Sequence, residues 1–107
     1  MRKAIVNFKG IPAGILEENE NGFVFKYDDV YFHDLTQKAI SLTFPKTQQT
    51  YYHPSLFPVF FNMLPEGTNK GMLCLVLRID ENDFFGLLLA TAQYDTIGAI
   101  TIIPLND

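Results

Sequence analysis

The sequence predicts an α+β domain: an antiparallel N-terminal sheet, about three helices in the second half, and a C-terminal strand that rejoins the sheet. Three observations carry this. Residues 3–27 hold short alternating apolar segments separated by turn signals. Three apolar segments with capping residues follow Pro54. A last apolar run, Gly98 to Ile103, precedes Pro104. That run must find partners in the earlier sheet, because its backbone groups would otherwise stay unpaired. The sheet reads as a meander, with closure into a barrel as an option.

The elements follow in order. Residues 3–8 form a strand and Lys9-Gly10 a turn. Ile11 to Glu18 forms a second strand, in which Gly14 marks a bulge or a close backbone approach. Asn21-Gly22 predicts a type I′ hairpin turn, since both residues accept positive φ. Phe23 to Tyr27 alternates as a half-buried strand does. Asp28 to Lys38 suits either a short helix or an irregular loop. Ala39 to Phe44 alternates and is expected to be a strand that Pro45 ends, with Lys46 to His53 as a loop. Ser55 is the expected N-cap of a helix with Pro58 in its first turn, and Pro65 its stop. Thr68 or Asn69 would cap a second helix running to about Arg78. Asp83 would cap a third, Phe84 to about Ala92, apolar nearly all round and therefore central. The expected core includes Phe60, Leu64, Leu75, Phe84, Leu88 and Ile100.

A chain of 107 residues fits a single domain, residues 1–107, with enough buried surface to stand without staples. Ten phenylalanines and 48% hydrophobic residues require a packed interior and exclude a disordered chain. The lone Cys74 lies in an apolar run, so a buried inert thiol in a reducing cytosol is expected. The N-terminal apolar run is too short for a signal peptide, and no run is long enough to span a bilayer. A net charge of −4, with eight scattered Lys and Arg, disfavours direct binding of nucleic acid.

Candidate chemistry is sparse. His33 and His53 lie in irregular segments without the local pairing that metal sites use. Glu17-Glu18, Asp28-Asp29 and Asp80-Glu81 sit at expected strand ends and turns, where carboxylates are usually solvated. Ser41, Ser55 and Cys74 lack the setting of a nucleophile, and no phosphate-cradling glycine loop occurs. No catalytic residue, cofactor or metal is predicted. Asp95 would hold the turn into the last strand.

Three phrases carry a family resemblance: Phe60 to Gly67 (FFNMLPEG), Asp83 to Leu88 (DFFGLL) and Asp95 to Ala99 (DTIGA). With Gly14-Ile15-Leu16, Gly22 to Tyr27 and Ile40 to Pro45, they resemble the small N-terminal module of HipA-type serine/threonine kinase toxins over nearly the whole chain. One departure is Gln93-Tyr94, where the family commonly has glycine before the aspartate. The resemblance implies a non-catalytic, cytoplasmic module, because the family's catalytic and nucleotide-binding motifs belong to a later core. It further implies a stand-alone HipS-like antitoxin that binds and inhibits a HipA-like kinase encoded nearby. A DNA-binding HipB-like protein would join through that complex. The alternative is the N-terminal half of a split kinase. The corner where the chain reverses is the expected partner surface: Asn62, Met63, Pro65, Glu66 and Lys70, with Tyr51 and Tyr52 from the preceding loop.

Overall fold

In the computed structural model, residues 2–64, 67–92 and 99–105 are described, residues 67–69 by backbone alone. Lys3–Phe8 (β1), Ile11–Asn19 (β2) and Gly22–Tyr27 (β3) form the predicted meander. The type I′ geometry sits at the first turn, not the second. Lys9 and Gly10 carry φ of 52° and 79°, while the second turn is Glu20-Asn21 between the paired Asn19 and Gly22. There the Asn19 side chain accepts from the Asn21 N–H at 2.8 Å, so an Asx turn replaces the need for two positive φ values. Gly14 meets both expectations. The β1–β2 register shifts beside it, and a Cβ on Gly14 would overlap the Lys26 carbonyl of β3.

Asp28 caps a short helix, Asp29–His33 (α1), accepting from the N–H groups of Val30 and Tyr31. The expected strand at 39–44 is absent. Residues 34–49 form a loop, and Thr50–His53 (β4) is the strand, pairing with β3. Apolar alternation misled because Ile40 and Phe44 point inward while Leu42 between them is fully exposed. Ser41 makes the turn by accepting from Thr43 N at 3.2 Å and Phe44 N at 3.1 Å. The loop's backbone is satisfied by tyrosines instead of a strand. Tyr27 Oη donates to the Phe44 carbonyl and accepts from Ile40 N at 3.1 Å, and Tyr31 Oη donates to the Lys38 carbonyl at 2.6 Å. Lys46 Nζ donates to the carbonyls of Asp34 and Gln37 at 2.7 and 3.0 Å.

The next helix, Pro58–Phe61 (α2), starts three residues after the expected cap. Ser55 turns back onto His53, and Pro58 takes the first helical position, where its missing N–H costs nothing. Gly67–Leu77 (α3) begins before Thr68 and Asn69, so neither is its cap; Pro65 lies outside the described residues. Phe84–Thr91 (α4) is capped by Asp83 as predicted, through Gly86 N at 3.1 Å.

Ile100–Leu105 (β5) closes the fold beside β1, giving an open five-stranded antiparallel sheet in the order β4-β3-β2-β1-β5. The barrel option fails, because β4 and β5 are separate edges. Pro104 does not end the strand; it pairs opposite Ala4 on an edge strand, where a missing N–H breaks no ladder bond. The neighbouring outward N–H, that of Ile102, is taken by the Ala92 carbonyl at 2.9 Å. Lys3 stands opposite Leu105.

The helices and the 34–49 loop cover one sheet face, formed by Ala4, Val6, Leu16, Phe25, Tyr27 and Ile102, all fully buried. Phe44 from the loop stacks on Phe25 at 4.8 Å and meets Phe57 edge-on at 5.0 Å, with Phe60 at 5.8 Å. Phe85, Leu87 and Leu88 of α4 fill the rest. Of the six expected core residues, Phe60, Leu64 and Leu88 are buried, and Phe84 and Ile100 pack against the core half-buried. Leu75 is not in the core. It is 82% exposed, because α3 reaches the body through the side bearing buried Cys74, and Leu75 lies on another side.

Two outcomes test this packing. Leu88→Ala should cost roughly 2–5 kcal/mol through the cavity it leaves, whereas Leu75→Ala should stay within about 0.5 kcal/mol. Equal shifts in denaturant midpoint would contradict the assignment. Burial pushes the Tyr27 phenol up to about 12. A pKa raised on folding gives stability that is complete below the unfolded value near ~10 and lost as pH rises through the folded value. Alkaline unfolding should therefore steepen between pH ~10 and 12. Tyr27→Phe should flatten that limb, at a cost of roughly 1–3 kcal/mol for the unpaired Ile40 N–H and Phe44 carbonyl. Chemical denaturation across pH checks both.

Candidate functional site

The groups that could carry chemistry are engaged locally. His33 ends α1 with Nδ1 2.8 Å from the Asp29 carbonyl, and His53 ends β4 with Nδ1 2.8 Å from the Ser55 carbonyl. Both were expected in irregular segments; a helix end and a strand end hold them instead. Among the described residues no three His, Cys, Asp or Glu side chains gather as metal ligands. Cys74 is buried, as its apolar run predicts.

One charged cluster is well built. Arg2 meets Glu18 through Nε and Nη2 at 3.0 and 2.9 Å, and Asp83 through Nη1 and Nη2 at 2.9 and 2.8 Å. Its guanidinium also lies 5.3 Å from the Phe85 ring centroid. Asp83 thus caps α4 and anchors β1 at once. A Cβ at Gly86 would overlap the Asp83 carboxylate and press on Arg2 Nη1, so a side chain there would have to displace the cluster. Glu18, expected to be a solvated acid, is instead half of a bidentate pair. Nothing in the spacing of residues 2, 18 and 83 announced it. Every oxygen of both carboxylates already accepts from Arg2, which suits a structural tie and not acid–base work.

The expected partner residues fall in two places. Asn62 is exposed, Met63 half-buried after α2, and Lys70 half-buried in the first turns of α3, its Nζ 5.0 Å from the Phe84 ring centroid. Phe61, 46% exposed, meets the same Phe84 ring edge-on at 5.1 Å. So α2, α3 and α4 converge on Phe84 beside the corner; Pro65 and Glu66 themselves lie outside the described residues. Tyr51 and Tyr52 sit in β4, on opposite sides of the sheet. Tyr51 packs on Phe44 at 5.1 Å and its hydroxyl donates to the Pro45 carbonyl. Tyr52 is 75% exposed and lines an open 300 Å³ hollow with Asn19, Asn21, Phe23, His53 and Pro54. Both tyrosines were expected in a loop; the strand that holds them separates them. Asp95 and its turn lie outside the described residues.

The fold and the three phrases meet in comparisons with known proteins. A family model described as the HipA N-terminal domain matches residues 4–103. The chain belongs to the HipA N-terminal domain family. A solved structure of an N-terminal domain of HipA toxin matches with a TM-score of 0.76 and 33% identity, covering 100% of this chain and 95% of that one. An uncharacterized protein of Haemophilus influenzae (strain ATCC 51907 / DSM 11121 / KW20 / Rd) is 37% identical over 102 residues, 95% of this chain and 92% of the relative. No helix among the described residues is long and apolar enough to cross a membrane.

The charged cluster gives a pH signature. Arg2 holds the Asp83 carboxyl below the usual carboxylate range, mainly by hydrogen bonding. A pKa depressed on folding gives stability present above the unfolded value near ~4 and lost as pH falls through the folded value. Below pH ~4 the wild type should therefore lose thermal stability faster than Asp83→Asn, whose amide does not titrate. Parallel acid limbs in melting curves would contradict this role.

Proposed function

We propose that this HipA N-terminal domain acts as a HipS-like partner module: it binds a HipA-like serine/threonine kinase toxin and inhibits it, as the antitoxin of a toxin–antitoxin system. The observation that carries the reading is coverage. The family model matches residues 4–103, and the Haemophilus relative is matched over 92% of its own length, so a protein similar to this one carries little beyond the matched region. The module works without catalysis of its own, in the cytoplasm, and reaches operator DNA through a HipB-like protein in the complex. Partner contact lies at the corner around Asn62, Met63, Pro65, Glu66 and Lys70, with Tyr51 and Tyr52 as flanking candidates, of which Tyr52 is the accessible one.

Co-expression with a HipA-like kinase from the same genome tests the reading. A stable complex and rescued growth are expected. Kinase activity appearing only when both chains are present would instead favour a split kinase needing this half. Calorimetry with ATP and Mg²⁺ on the isolated chain should show no saturable binding; a saturable isotherm would contradict a purely non-catalytic module.

A further inference from the structure

Helix α3 is apolar on two opposed sides. One side meets the body: Cys74 is buried and its carbonyl accepts from Ile79 N at 2.9 Å, while Lys70 spans the Phe84 ring. On the other, Met72, Leu75 and Val76 are 64%, 82% and 75% exposed. Their spacing is i, i+3, i+4, which makes one continuous stripe on a helix. At 3.6 residues per turn it lies roughly 100–200° around the axis from Cys74. A helical segment apolar all round, as Met72 to Leu77 is, belongs in an interior. This one has an interior on one side only. Lys70, the one charged residue in the helix, belongs to the inner side.

We propose that the Met72–Leu75–Val76 stripe is the docking face for the kinase, with α3 laid into an apolar groove of that partner. This rests on the partner-module reading above and names its surface, extending the corner one turn along α3. Three observations choose the occupant. The solved relative is described as an N-terminal domain of HipA toxin, a domain named as part of a larger protein. The stripe is uncharged, so its complement is apolar, and helix-in-groove recognition reads i, i+3, i+4 anchors of this kind. The stripe is also small: from Met72 to Val76 the helix rises about 6 Å. Pairing it with its own copy falls well short of the ~1,200 Å² of a stable interface.

The test uses the full chain and a HipA-like kinase from the same genome that lacks its own copy of this domain. Leu75→Asp with Val76→Asp should weaken the complex at least 100-fold. The isolated variant should melt within about 4 °C of wild type, the shift of ~1 kcal/mol in a domain of this size. Leu42→Asp, at an equally exposed leucine outside the stripe, should bind like wild type. Met72→Glu alone should cost about tenfold, which keeps the stripe testable if the double variant unfolds. Binding of both stripe variants within about threefold of wild type overturns the stripe and leaves the partner-module reading standing. No binding by the wild type overturns that reading and the stripe with it. Sedimentation of the wild type as a dimer and of the double variant as a monomer makes a second copy the occupant, and overturns the kinase groove.

Discussion

The buried hydroxyl of Tyr27 makes it possible for sixteen residues without regular structure to cross the face of a sheet. Backbone amides and carbonyls in such a segment have no ladder, and unpaired buried groups each cost roughly 1–3 kcal/mol. Tyr27 pairs two of them at once, Ile40 N and the Phe44 carbonyl, from a strand position that is itself fully buried. That fixes Phe44, and Phe44 is the ring on which Phe25, Phe57, Phe60 and Tyr51 converge. The aromatic core and the placement of β4 both follow from one phenol held neutral in the interior.

What could be read from the residues depended on whether local signals acted alone. The meander and α4 were legible: period-two alternation, a two-residue turn and an aspartate cap each act within a few residues. The 39–44 segment was not, because its alternation is the same whether the chain runs straight or turns at Ser41. Only the distant Tyr27 and Tyr31 decide between them. β4 was hidden by polar residues, since an edge strand needs little apolar content on its open side. Pro104 was read as a terminator because its place at a sheet edge is a property of topology.

A break between two helices after residue 60 was legible, but its bounds were not: Pro65 was expected to stop the first helix and Gly67 to turn the chain, whereas α2 ends at Phe61 with Asn62 as its C-cap and Gly67 already belongs to α3. The outer stripe of α3 was not found, because an apolar helix looks the same to the eye whether both sides are covered or one. Leu75 was assigned to the core on that ground. The same apolar content that predicts burial is what makes its exposure informative.

The pairing of Lys3 with Leu105 has a consequence for how this fold can be inherited. The first and last strands lie side by side, so the two ends of the described chain leave the sheet at one place. Whatever polypeptide continues beyond that place can be joined or severed without rethreading a strand or opening the core. A domain built this way is as self-contained at the head of a long protein as it is on its own. Gene fission and fusion can then trade one arrangement for the other while the fold stays the same.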